Sequence, residues 1–188
     1  MSPVADLKTR IVRSATGILR KSGLKRMAQA EVAKKANIRQ SHLTYYFPTR
    51  SDLVIEVARN ALGPLRETLG SFVSPKIQHV LDSKIQKVVA SICNDVGRTR
   101  ALLGLMVESD EDQKLKNEIL SVVKEQINMV ALLLGKSKED PQVQLVNAAL
   151  MGTGFLRYLD AHPPEFTQEM VRVLGEWLKK TPSEKGSE

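Results

Sequence analysis

Apolar residues recur at helical spacing along almost the whole chain, and this periodicity limits the fold more than any other feature of the sequence. In the first segment Leu7, Ile11, Ala15, Ile18 and Leu19 share one face of a helix, Arg10, Arg13 and Arg20 lie mostly elsewhere, and Gly23 supplies a C-cap. The pattern predicts a second short helix from about Ala28 to Ala36 and a third from about Gln40 to Tyr46, closed by Pro48. Ser51 is expected to cap a fourth carrying Leu53, Val54, Val57 and Leu62, with Gly63-Pro64 breaking or kinking it. Ile77, Val80, Leu81, Ile85, Val88, Val89 and Ile92 trace the next stripe, ending near Gly97, and Ala101 to Val107 reads as a short buried helix. Leu115, Ile119, Val122, Val123, Met129, Val130 and Leu133 form a long amphipathic helix that stops at Gly135. Asp140-Pro141, as N-cap and proline at the first helical position, opens another to about Asp160. Pro163-Pro164 interrupts, a last helix runs from about Phe166 to Lys179 with Met170, Val173, Leu174, Trp177 and Leu178 on one side, and the tail from Thr181 is expected to fray. Without sustained two-residue alternation or an Asn-Gly or Asp-Gly hairpin turn, the fold class is all-α.

A chain of 188 residues is one domain, or a small one fused to a larger one, and buries enough surface to need no disulfide or metal staple. The lone Cys93 fits a reducing compartment or a bridge-free fold. The longest strongly apolar stretch, Met129 to Leu134, falls far short of the roughly 18 residues that cross a bilayer. The first twenty residues lack the apolar core and cleavage site of a secretory signal, so the expected location is cytoplasmic. Charge is distributed unevenly. Residues 1–50 hold eleven Lys and Arg against two acids, a net of +9, which leaves 17 against 19 and a net of −2 for the remainder. A basic segment joined to a near-neutral body suits a polyanion partner.

That basic segment carries the size rules of a helix-turn-helix, in which the second of two short crossing helices enters the major groove. The crossing needs a small residue on the first helix, supplied by Ala33, and the turn needs one that tolerates the left-handed conformation, supplied by Asn37. Ile38 and Leu43 can plug the gap between the helices. Gln40, Ser41, His42, Thr44 and Tyr45 are then left on or near the exposed side of the second helix, where their types suit base edges and phosphates. Arg39, the Tyr46 hydroxyl and Arg50 complete the candidate DNA-binding set, whereas Phe47 suits the core.

Residues 10–54 resemble the DNA-binding domain of the TetR family of bacterial one-component transcriptional regulators. The resemblance runs through Arg10-Ile11 with Ala15, Gly23, the stretch Glu31-Val32-Ala33-Lys34-Lys35-Ala36-Asn37-Ile38, and the run Leu43-Thr44-Tyr45-Tyr46-Phe47-Pro48-Thr49-Arg50-Ser51-Asp52-Leu53. Four positions depart from the family pattern. Met27 stands where a Thr or Ser helix cap is usual, Asn37 replaces Gly, Thr44 replaces Tyr, and Arg50 replaces Lys. The resemblance implies a three-helix DNA-binding domain over residues 1–54 and a helical ligand-binding and dimerisation domain over 55–188. It also implies a homodimer through the last two long helices and a small-molecule effector.

Ala148, Ala149, Gly152 and Gly154 support the dimer independently, because small residues let helices approach closely. A two-fold dimer sets two reading helices about 34 Å apart and calls for a palindromic site on double-stranded DNA. For the effector, polar groups and Met embedded in apolar helices are candidates: His79, Met106 and Tyr158, then Asn94, Glu108, Gln126 and Asn147. Aromatics number only eight, so a pocket lined by aliphatics and Met would favour an apolar ligand. No phosphate-binding glycine loop, metal-spaced cluster or nucleophile motif occurs, and His42, His79 and His162 are scattered, so neither enzyme activity nor a cofactor is expected. The resulting function is a transcriptional repressor released by a small ligand. The competing reading is an architectural DNA-binding protein that ignores metabolites. A membrane-surface helix would leave the helix-turn-helix residues unexplained.

Overall fold

The computed structural model describes residues 3–71 and 83–180, with side chains described over 6–63, 86–87 and 89–178. Among these residues every regular element is helical: α1 (Pro3–Ser22), a 3₁₀ turn (Leu24–Arg26), α2 (Gln29–Lys35), α3 (Gln40–Tyr46), α4 (Arg50–Ser71), α5 (Ser83–Cys93), α6 (Val96–Glu108), α7 (Gln113–Leu134), α8 (Pro141–Tyr158) and α9 (Pro164–Lys180). Helix ends follow local chemistry. Asp140 Oδ1 accepts the Gln142 N–H at 2.7 Å and Pro141 opens α8. The C-termini of α2, α7 and α8 turn through Asn37, Gly135 and Asp160, all at positive φ. At each, the next residue's N–H returns to the carbonyl five positions back: Ile38 to Ala33, Lys136 to Ala131 and Ala161 to Leu156.

Four sequence expectations are corrected. The cap of α4 is Thr49, not Ser51. The Thr49 hydroxyl accepts the Asp52 N–H at 3.1 Å while Asp52 Oδ2 accepts the Thr49 N–H at 3.1 Å, a reciprocal box that fixes the first turn. Gly63-Pro64 does not end α4, which continues to Ser71. Ala61 and Leu62 are buried just before the proline, and that anchored turn lets the helix absorb the loss of one N–H donor. The fifth stripe does not run on to Gly97: α5 ends at Cys93 and α6 begins at Val96. Finally, α6 is longer than Ala101 to Val107 and only one side is buried. Ala101 and Leu105, one turn apart, are enclosed, whereas Val107 is 74% exposed.

The chain packs as two compact units, each discontinuous in sequence: Met1–Gly70 with Gly97–Glu125, and Ser71–Val96 with Gln126–Glu188. In the first, Ile11, Leu19, Val32, Leu43, Phe47, Leu53 and Val57 form one contiguous core that also takes in Ala101, Leu105, Leu115 and Ile119. The helix-turn-helix therefore shares its core with α6 and the start of α7. Arg100 of α6 donates to the carbonyls of Arg20 and Lys21 at 2.9 Å each, capping α1 with a cation at its negative end. Four residues on, Gly104 lies so close to the 3₁₀ turn that an added Cβ would sit 3.3 Å from Leu24 Cβ. In the second unit α5, α8 and α9 pack pairwise with the last part of α7, burying Ala90, Met129, Val130, Val143, Val146 and Val171.

Candidate nucleic-acid interface

The turn between α2 and α3 sets the pose of α3. Asn37 takes φ 51, and its N–H reaches the Lys34 carbonyl at 3.1 Å while Ile38 N–H reaches Ala33 at 3.0 Å. Ala33 is buried at the crossing, Leu43 is fully buried, and Ile38 packs half-buried against the same core. Met27 joins that core too. The start of α2 has Ala28 as its cap residue, with no side-chain hydrogen bond, so burial at Met27 replaces the hydroxyl usual in the resembled family.

With Leu43 turned inward, α3 presents Gln40, Ser41, His42, Thr44 and Tyr45 to solvent. Tyr45 is 80% exposed and meets the Tyr46 ring edge-on, with centroids 5.3 Å apart. Tyr46 itself is half-buried against the core, which holds the pair in place. The Thr44 hydroxyl donates to the Gln40 carbonyl at 3.2 Å. Arg39 is exposed at the N-cap of α3, and Phe47 is buried beneath the Lys8 ammonium, 5.7 Å from the ring centroid. Arg10, Arg13, Lys21, Lys25, Arg26, Lys34 and Lys35 are exposed on the same unit. Arg50 is exposed at the start of α4, and its Nε donates to Glu108 Oε1 at 2.8 Å.

Two carboxylates shape this end of the unit. Asp52 is held below the ordinary aspartate value first by the Thr49 hydroxyl and then by the Thr49 N–H. Asp112 is lowered first by the Ser51 hydroxyl, which donates to it, and also by N–H groups opening α7, Leu115 at 3.1 Å and Lys114 at 3.0 Å. Asp112 thereby caps α7 and fastens α4 to it.

The ligand candidates are dispersed. His79 lies outside the described residues. Met106 packs half-buried against the core of the first unit, and Tyr158 is half-buried near the end of α8. In the second unit, Gln126 Nε2 donates to Asn147 Oδ1 at 2.8 Å, Asn147 Nδ2 donates to Met151 Sδ at 3.8 Å, and Asn94 Nδ2 donates to the Pro164 carbonyl at 3.2 Å. A cavity of about 50 Å³ opens between α5, α7, α8 and α9, walled by Val89, Met129, Leu133, Val146, Leu150, Val171, Leu174 and Leu178, with Gln86 at its edge. Apart from Gln86 and Gly175, its lining is aliphatic and Met. Its residues sit on ordinary core stripes, which sequence spacing does not distinguish from plain packing.

Apolar residues also stand outside. Leu145, Ala148, Gly152 and Phe155 along α8, and Leu159 at its C-cap, are exposed at alternating three- and four-residue spacing. On α9 Phe166, Val173 and Trp177 are exposed, with Met170 half-buried between them. Helical spacing puts Met170, Val173, Leu174, Trp177 and Leu178 on one side. They divide instead, Leu174 and Leu178 facing the cavity and Val173 and Trp177 exposed. A Cβ added at Gly152 would meet nothing within 4 Å.

Among the described residues the chain is all-helical, with a basic helix-turn-helix in its first unit and a helical second unit. No family model and no curated protein matches the chain, but solved structures do. A transcriptional regulator from Saccharomonospora viridis in complex with choline aligns with a TM-score of 0.78 at 12% identity, over 94% of this chain and 97% of the other. A TetR-family regulator from Mesorhizobium loti gives 0.70 at 11%, over 95% and 97%. The multidrug binding protein EbrR complexed with ethidium gives 0.67 at 16%, over 93% and 99%. The chain has the fold of TetR-family transcriptional regulators. No helix among the described residues is long and apolar enough to cross a membrane.

Proposed function

We propose that the chain is a homodimeric, sequence-specific transcriptional regulator of the TetR type, a repressor that leaves a palindromic operator when a small, largely apolar molecule binds its second unit. The observation that carries this reading is α3: a short helix pinned by buried Leu43, with Gln40, Ser41, His42, Thr44 and Tyr45 outward on a unit rich in exposed Lys and Arg. Gln40 and His42 are the base readers. Arg39, Ser41, Thr44, Tyr45, Tyr46 and Arg50 serve base edges or phosphates.

The exposed stripes on α8 and α9 support dimerisation, since knob spacing of three and four residues suits helix-on-helix packing and Gly152 leaves room for close approach. The aliphatic lining of the cavity supports an apolar effector. That an effector exists is supported by two of the aligned proteins, a transcriptional regulator in complex with choline and the multidrug binding protein EbrR complexed with ethidium, although both of those ligands are cations. A ligand that binds the released form more tightly weakens operator affinity by a coupling of about 1–3 kcal/mol. The protein then acts on the bacterial nucleoid, in the cytoplasm.

The test is fluorescence anisotropy at two salt concentrations, with the intergenic DNA beside the gene and a scrambled duplex of equal length. Binding to the native duplex about 10³-fold tighter than to the scramble supports the regulator. Equal, purely salt-driven binding to both would instead support an architectural protein.

A further inference from the structure

The start of α4 meets an acidic corner between α6 and α7. Glu108, Asp110, Glu111 and Asp112 fill four of five consecutive positions there, in a unit whose first fifty residues are strongly basic. The carboxylates do different jobs. Asp112 is committed to the opening N–H groups of α7 and to the Ser51 hydroxyl. Glu108 engages Arg50 across 58 residues of chain, with Nε and Oε1 2.8 Å apart. The two side chains are 50% and 33% exposed, and a cleft of about 390 Å³ runs beside them, with Glu111 and Asp112 on its wall. An outside anion can therefore reach the guanidinium without unpacking the core.

Arg50 is also the proposed backbone contact at the end of the reading segment. Two anions, an internal carboxylate and a DNA phosphate, thus have a claim on one guanidinium. We propose that Glu108 is an internal competitor for the DNA backbone: docking Arg50 on a phosphate means giving up a formed ion pair, which lowers affinity for every duplex alike. This rests on the DNA-binding reading above. An arginine fork satisfies a carboxylate and a phosphate with the same donors, so the exchange is between like partners and leaves base reading untouched.

Glu108→Gln keeps the shape and removes the charge. In anisotropy titrations it is expected to tighten binding to native and scrambled duplexes by the same factor, about two- to fivefold, the usual worth of a partly exposed pair. The gain is expected to vanish when Arg50→Ala and Arg50→Ala/Glu108→Gln are compared. Glu108→Asp, which keeps the charge but shortens its reach, is expected to show a smaller gain with the same dependence on Arg50, and melting curves confirm that each variant folds. Weaker binding by Glu108→Gln would overturn the proposal, because the carboxylate would then be orienting Arg50 for the phosphate. An equal gain with Arg50 absent would overturn it too, in favour of general charge repulsion. Unchanged affinity alongside tight wild-type binding sinks the competition alone, whereas wild-type protein that binds no duplex at low salt sinks the DNA reading and the competition with it.

Discussion

Ile11, Leu19, Leu43, Phe47 and Leu105 all lie inside one core in the first unit, and what α3 turns outward is polar. In the second unit Leu145 and Phe155 on α8, Leu159 at its C-cap, and Phe166, Val173 and Trp177 on α9 stand exposed, while the aliphatic cavity is lined by other residues. The first unit buries most of its apolar side chains in its own core, with Val107 and Leu120 as scattered exceptions. The other leaves apolar side chains of α8 and α9 outside its own packing, the surface on which the proposed dimer rests. On the proposed function the difference is one of partners: α3 would serve a polar, charged one, and α8 and α9 an apolar one.

Leu43→Ala attacks the self-sufficient side most directly. Removing a fully buried leucine should cost about 2–5 kcal/mol in denaturant unfolding and take DNA binding with it. Phe155→Glu, alone or with Gly152→Leu, tests the other side. Sedimentation equilibrium should show the dimer dissociation constant rising by about 100-fold or more while helicity is retained. A dimer that survives both changes would mean that the α8 stripe serves something else. At the reading surface, Gln40→Ala and His42→Ala should each cost about 1–3 kcal/mol on the native duplex and little on a scramble, whereas Arg50→Ala should weaken all DNA together. Equal losses on every sequence from all three would remove the base-reading assignment.

Helix starts supply a smaller effect, visible in acid. Thr49 holds Asp52, and Lys136 and then the Gln142 N–H hold Asp140, below the ordinary aspartate value of 3.8. A carboxylate whose pKa is lower folded than unfolded contributes its stabilisation above the unfolded value and loses it as pH falls through the folded one. Melting temperature should therefore fall below about pH 4, and Asp140→Ala should lower it by a few degrees at neutral pH while flattening that acid limb. The smallest change is a gain: Asn37→Gly should raise stability by a few tenths of a kcal/mol, because at φ 51 glycine escapes even the small penalty asparagine carries there.

The reading unit was the more legible of the two for a physical reason. Ala33, Asn37 and Leu43 obey packing rules set within eleven residues, so local spacing states them, and α3 spans the residues expected. Two hydroxyls stand close together at the start of α4, and only the reciprocal bond with Asp52 decides between Thr49 and Ser51. The pairing of Arg50 with Glu108 lies 58 residues away in sequence, beyond any periodicity. On α9, hydrophobicity alone does not separate an inner face from an outer one, since Leu174 and Val173 differ in what they meet and not in kind.

The close fit of α6 against the 3₁₀ turn bears on protein engineering. A chimera that grafted only residues 1–54 onto a foreign body would leave behind Ala101, Leu105, Leu115 and Ile119, which complete its core, and the Arg100 guanidinium that closes the end of α1. A transplantable reading cassette from this chain is two strips of sequence, and a recipient must accept the second as well as the first.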